Sequence, residues 1–333
     1  MKRLLLACTI ALAAAPALAA DKSLLDAARK EGSVAYYANI TAVDPIMKAF
    51  TADTRVKATY TRISTTKFVA TAITEFEAGK FMADVVQGPL PVLEILKDRG
   101  MLAEYRSPVA AGYPAWTRKD GIIQLFGIEY IALMYNKERV KPGDVPKRYQ
   151  DLTHPKWKDK IVMPNPSNHA TTIAWLVALR EHVFKSDAEW IKFLKGLAAN
   201  RPMFVASLGP TPAPIESGEK PIGISMPKYI ITKAPAPLDW ARLQQQPIMG
   251  TPRAIAVASK APHPNAARAF VDYWLSTKAM EMLARDVGEY VLAPGVFPPI
   301  SGMDKAKVIA IRELSDAETK KWGAEFKKIF AVK

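Results

Sequence analysis

Four histidines, His154, His169, His182 and His263, are the first residues to test for acid–base or metal chemistry. None forms a close pair with metal-ligand spacing, and His169 and His182 stand 13 positions apart. No G-x-S-x-G, no phosphate-binding P-loop and no G-x-G-x-x-G occurs. His263, in APHPNAARAF, is expected to cap or brace a turn. A hydrolase would need a nucleophile with a base beside it, and the sequence supplies no such pair, so the chain is not read as an enzyme and no cofactor is assigned. What remains are groups suited to holding an anion. Ser64, Thr65, Thr66 and Lys67 open an apolar-periodic segment. Helix capping needs one hydroxyl there, whereas three with an ammonium make an anion site. Arg253, in GTPRAIAV, carries a guanidinium that grips a carboxylate or phosphate through two N–H groups. It could equally pair with Glu129.

The elements that must position these residues alternate. Strands are expected over 33–37, 56–63 and 84–87, and helices over 44–51, 64–79 and 91–100. Asp44 is expected to cap the first of these helices and Gly79 to close the second. This β-α-β-α-β order implies a parallel sheet with helices on its faces. Ligands of such sheets sit beyond the carboxyl ends of the strands. The loops 38–41, 63–67 and 87–90 are therefore the ones to watch, and they bring in Asn39, Thr41 and Gln87. Later segments repeat the pattern. Strands are expected over 128–136, 160–163, 203–206, 222–225 and 248–258, with helices over 169–183, 187–200 and 266–276. The tail over 304–330 is expected to be mostly helical. Two long strands, 126–136 and 248–258, bracket the middle of the chain. A chain that crosses out and back makes a double hinge, which suits a clamshell.

The first twenty residues set the compartment. Lys2 and Arg3 precede an apolar run from Leu4 to Leu18, and Ala17, Leu18 and Ala19 form an A-x-A cleavage signal. The run is shorter than the ~20 residues a spanning helix needs. Cleavage after Ala19 or Ala20 and a periplasmic product are expected. Cys8, the only cysteine, leaves with the signal. The rest of the 333-residue chain is long enough to build a core without disulfides. The formal charge is +14. The basic residues are scattered and often stand near acids, without the clusters and interleaved aromatics that nucleic acid favours. The charge is read as solvation with a bias toward anions.

Five segments carry a resemblance: KAFTADTRVKATY, EFEAGKFMADVVQG, IEYIALMYNKERV, YQDLTHPKWKDKIVMPNPSN and SKAPHPNAARAFVDYWLSTKAMEML. In this order they resemble the type II solute-binding proteins of ABC importers, in the ferric-iron-binding branch. That branch also includes binders of phosphonates, sugar phosphates and thiamine. The resemblance implies an α/β fold of the type II periplasmic-binding kind, a two-lobed clamshell with crossover hinge strands. It places one lobe over 21–125 plus 252–290 and the other over 126–251 plus 291–333, behind a signal peptide over 1–20. It implies a monomer that captures a small molecule and docks on an inner-membrane permease.

The resemblance also allows a test for iron. Iron binders of the branch use a histidine after the first strand, a glutamate after the third and two consecutive tyrosines in the second lobe. Here the matching positions hold Asn39, Ile40 and Thr41, then Gln87, Gly88, Pro89 and Leu90, then Lys228 and Tyr229. Ferric iron wants anionic oxygen ligands, and only Tyr229 is kept. The Lys228 ammonium would repel a trivalent cation by several kcal/mol even at an effective dielectric near ~20. It would attract a carboxylate or phosphate from a cleft open to water. The branch holds an anion at the helix start after the second lobe's first short strand. Ser167, Asn168, His169 and Thr171 occupy that stretch, where free backbone N–H groups and the helix dipole favour anions. Ser207 lies in a further cleft loop, and Glu129 on the first crossover strand. An anionic small molecule is the expected ligand, with iron held by Tyr229 and exogenous anions as the alternative.

Overall fold

The computed structural model describes residues 22–332. The expected signal peptide lies outside them. The described chain opens with helix α1 (Lys22–Glu31), which the sequence reading had not assigned. Strand β1 (Ser33–Ala38), helix α2 (Asp44–Thr54), strand β2 (Lys57–Arg62), helix α3 (Thr65–Glu77), strand β3 (Val85–Pro89) and helix α4 (Leu90–Asp98) follow in the expected alternation. Asp44 lies inside the first turn of α2 instead of capping it, and Val43 takes the cap position. Beyond α3, Gly79 adopts φ +66°, and the Lys80 N–H reaches back to the Glu75 carbonyl at 2.7 Å. This left-handed closure is cheap for glycine.

A two-residue strand β4 (Arg118–Lys119) leads into β5 (Ile123–Asn136), the first crossover. The middle segment holds β6 (Ile161–Pro164), α5 (Ala170–His182), α6 (Asp187–Ala199), β7 (Met203–Val205), α7 (Pro212–Ser217), β8 (Ile222–Ser225), α8 (Tyr229–Thr232) and β9 (Leu238–Trp240). Strand β10 (Ile248–Val257) crosses back. Helices α9 (Pro264–Leu275) and α10 (Thr277–Met282) come next. A π-helical turn over Leu283–Val287 follows, then strands β11 (Tyr290–Val291) and β12 (Val308–Ala310) and helix α11 (Asp316–Ile329). The tail is helical from 316 on, as expected, but residues 306–315 carry no helix and hold β12, which adds to β10.

The sheet runs β2-β1-β3-β10-β5-β8-β6-β7. Strands β1, β2 and β3 are parallel, and so are β6, β7 and β8. The two crossovers are antiparallel to each other and to their neighbours β3 and β8. Residues 253–257 of β10 pair with β3, while its residues 248–250 pair with β12. Likewise the far end of β5 pairs with β8 and β9. Each crossover thus belongs to both lobes, and Glu129 stands opposite Thr251 in the register between them.

Each lobe covers both sheet faces. In the first, Val34, Tyr36 and Ala38 of β1 face Phe50 of α2 and Phe270 and Trp274 of α9. On the opposite face, Val86 and Ala256 meet Phe68 of α3 and Leu93 and Leu96 of α4. In the second, Ile131 and Leu133 of β5 pack with Trp175, Trp190 and Phe326, while Ala132 and Met134 turn to Val162, Ile215 and Trp240. Alternation with both faces covered explains why β5 reads as an almost unbroken apolar run. Val291, Ala293 and Val296 pack in the first lobe's core, and Ile300 and Met303 in the second's.

Candidate functional site

Where β5, β10 and the turns of both lobes meet, the structure gathers four charged side chains. Arg253 sits on β10 with 3% of its side chain exposed. Its Nε donates to Glu289 Oε2 at 2.9 Å, and its Nη2 to Glu289 Oε1 at 3.3 Å. Lys228 Nζ, from the turn between β8 and α8, donates to the same Oε1 at 3.0 Å. Glu129 on β5 lies 3.8 Å from Arg253 Nη2. Burial pushes the Glu289 carboxyl up, but Arg253 and Lys228 outweigh it and hold it below the usual range. The alternative left open for Arg253 is thus resolved mainly toward a partner that sequence reasoning missed. Glu289 stands in GEYV with no motif around it, and only the packing of the π-helical turn brings it here.

Lys228 is a correction. It was expected on a turn open to water, yet it is buried against Glu289. The turn is pressed inward by Gly288, whose φ is +71° and whose missing Cβ would stand 2.9 Å from Lys228 Cα. The Tyr130 hydroxyl donates to the Gly288 carbonyl at 2.6 Å and fixes that approach.

Around the cluster lie other expected residues. Asn39 receives Arg253 Nη1 at 3.5 Å on its Oδ1 and donates through Nδ2 to Thr65 Oγ1 at 2.9 Å. It thereby joins the end of β1 to the start of α3. The Tyr229 hydroxyl donates to the Leu208 carbonyl at 3.4 Å. Burial, with Glu129 and Glu289 nearby, raises its pKa well above that of an ordinary phenol. His169 caps α5, with Nδ1 accepting from the Thr172 N–H at 3.3 Å. Burial lowers its pKa and the Glu129 charge raises it, with burial prevailing, so the ring is neutral at pH 7.

Gln87 is a second correction. It has no exposed surface, so it does not line a cleft. Its Oε1 accepts from the Ile40 N–H at 3.2 Å and holds the loop after β1 in place. Its Nε2 and the Tyr36 hydroxyl are buried without a hydrogen-bond partner among the described residues. The Ser167 hydroxyl donates to Asn165 Oδ1 at 2.7 Å and is turned toward its own loop. Thr41, Lys67 and Asn168 are exposed, while Ser64, Thr171 and Ser207 are half-buried. No hydrogen bond or ion pair joins Thr41, Lys67, Asn168, Thr171 or Ser207 to the charged cluster among the described residues. The side chain of Thr66 lies outside what the structure describes.

His263 braces a turn, as expected. Asp84, fully buried, accepts from the His263 N–H at 2.6 Å, lies 3.0 Å from His263 Nδ1, and accepts from the Ala35 N–H at 2.7 Å. Ser33 Oγ is 3.3 Å from His263 Nε2. This Ser–His–Asp line stands at the amino ends of β1 and β3, away from the cluster. Two of the three groups held by Asp84 are backbone amides, which is the work of a clasp. Three cavities of about 290, 500 and 400 Å3 lie beside Val271, Trp157 and Tyr149, and no residue of the charged cluster lines them.

The described residues contain no group of three or more His, Cys, Asp and Glu placed to hold a metal. No described helix is long and apolar enough to cross a membrane.

Solved structures share this architecture. A substrate-binding protein of an ABC transporter from Agrobacterium tumefaciens matches 90% of this chain and 95% of its own at 13% identity, with a TM-score of 0.75. Apo ferric ion-binding protein A of Pasteurella haemolytica matches 90% and 97% at 18% identity, with a TM-score of 0.67. Iron-bound HitA of Pseudomonas aeruginosa matches 90% and 98% at 19% identity, also with 0.67. At these identities the likeness establishes the fold, which is the two-lobed type II periplasmic-binding fold. Residues 83–316 match the family model described as bacterial extracellular solute-binding protein. That span is most of the chain, and the chain belongs to the bacterial extracellular solute-binding proteins.

Proposed function

We propose that this protein is the periplasmic binding component of an ABC importer. It captures a small solute bearing a carboxylate, phosphonate or phosphate ester, closes its lobes on it and presents it to an inner-membrane permease. It acts as a monomer and catalyses no reaction. The lobes are taken as 21–125 plus 252–290 and 126–251 plus 291–333, with Val291, Ala293 and Val296 still packed on the first lobe's core. One observation carries the reading. Arg253 sits where both crossover strands meet, and among the described residues its Nη1 has only Asn39 at 3.5 Å, the outer limit of a hydrogen bond. A guanidinium with donors to spare at a hinge is suited to an oxyanion. Lys67 with the start of α3 in one lobe, and the start of α5 in the other, add donors that lobe closure would bring to the same solute.

Ferric iron is the weaker reading, although two of the neighbours above are named for it. Asn39 and Pro89 stand where the branch has ligands, Lys228 brings a positive charge, and burial disfavours the Tyr229 phenolate. A thermal-shift screen of the mature protein tests the proposal, using organic acids, phosphonates, phosphate esters and ferric citrate. A solute present at about 100 times its Kd adds ~2.7 kcal/mol of stability. A response to ferric citrate alone would reject the anion reading.

A further inference from the structure

The charges at the crossing of the lobes balance. Lys228 and Arg253 are positive, Glu289 and Glu129 negative, and His169 beside them is neutral. The two carboxylates are not equivalent. Glu289 is almost fully buried and accepts three hydrogen bonds from the two cations. Glu129 keeps 17% of its side chain exposed, and among the described residues its carboxylate accepts no hydrogen bond. Its ion pair with Arg253, at 3.8 Å, is too long for one. A partly exposed carboxylate with no hydrogen-bond donor among the described residues is open to a cationic donor arriving from outside.

Arg253 shows the converse. Nε and Nη2 are taken by Glu289, while among the described residues Nη1 reaches only Asn39. Among the described residues, an acceptor lacking hydrogen-bond donors therefore stands beside a donor held only by one long hydrogen bond. A bare anion would place an unbalanced charge next to two carboxylates. A solute carrying both signs would fill both vacancies and keep the site neutral.

Building on the proposed capture function, we propose that the solute is a short zwitterion, with its ammonium on Glu129 and its carboxylate or phosphonate on Arg253 Nη1 and the Asn39–Thr65 edge. Specificity then lies in Glu129, which admits an amino acid or aminophosphonate and turns away the same molecule without its amine. The selection works because the amine supplies the hydrogen-bond donors that the Glu129 carboxylate lacks among the described residues.

Isothermal titration calorimetry of the mature protein tests this with β-alanine, 4-aminobutyrate and 2-aminoethylphosphonate. Each is compared with propionate, butyrate and ethylphosphonate, which lack the amine. At least one amino compound should bind, and at least about tenfold more tightly than its partner. Glu129→Gln should remove that preference and leave the amine-free acids bound no more weakly. The wild-type comparison stands by itself if the variant fails to fold. Amine-free acids binding as tightly as their amino partners would overturn the zwitterion and leave the anion reading intact. Binding of putrescine, with none of the acids bound, would overturn both, as would no binding by any of these compounds.

Discussion

Lys228 Nζ lies 3.0 Å from Glu289 Oε1, and neither side chain has more than 8% of its surface exposed. The pair joins the turn before α8 to the segment after the π-helical turn of residues 283–287. Arg253 shares the same carboxylate. Removing one partner of a buried pair strands the other, which costs more than the pair itself contributes. Lys228→Ala should therefore destabilise the ligand-free protein by about 3 kcal/mol, the low end for such a loss because Arg253 remains. Lys67→Ala, at an exposed lysine, should change stability by less than about 0.5 kcal/mol. Urea denaturation of the two variants checks the contrast.

Gly288 carries the close approach that makes this pair. Its φ of +71° is left-handed, and a Cβ would meet Lys228 Cα at 2.9 Å and the Lys228 carbonyl oxygen at 3.0 Å. Gly32 has a similar φ of +80° with nothing within 4 Å. Gly32→Ala should cost about 1–2 kcal/mol from backbone strain alone. Gly288→Ala should cost clearly more, because backbone must also shift. Thermal melts of the two variants side by side measure the difference.

Glu313 sets a pH dependence. Burial pushes its carboxyl up to about 7, Glu94 adds to the rise, and Lys119 and Lys97 oppose it. One of its oxygens is buried without a hydrogen-bond partner among the described residues. Between its ordinary value of 4.5 and about 7, the folded protein keeps a proton that the unfolded chain releases. Its contribution is most favourable below the unfolded value and is lost as pH rises through the folded one. Glu313→Gln should raise the Tm at about pH 8 and leave it almost unchanged at about pH 4. Equal shifts at both pH values would contradict this.

Ferric citrate added to the mature protein should produce no tyrosinate–iron absorption band. A band that disappears in Tyr229→Phe would restore iron as the cargo.

Intact mass and N-terminal sequencing of the exported protein should give a chain beginning at Ala20 or Asp21, from the A-x-A signal at 17–19. A start at Cys8 would mark a lipoprotein instead.

The alternating elements, the two long crossovers and the resemblance to two-lobed binding proteins are legible in the order of residues alone. These are local or periodic signals. Strand β5 announces itself as an apolar run because both of its faces are covered, and α3 opens at Thr65, within the hydroxyl-rich start over 64–66 that the sequence marks. It also marked Arg253 and Glu129 as possible neighbours, since each lies on a crossover. How their charges are shared depends on packing between distant segments. Glu289 follows Lys228 by 61 positions and Arg253 by 36, and nothing in its own segment distinguishes it from a surface glutamate. The ladder of β5 on β10 and the inward press of Gly288 bring the four charges into one desolvated place. There the choice of partner depends on distance and burial, which no spacing along a single chain encodes.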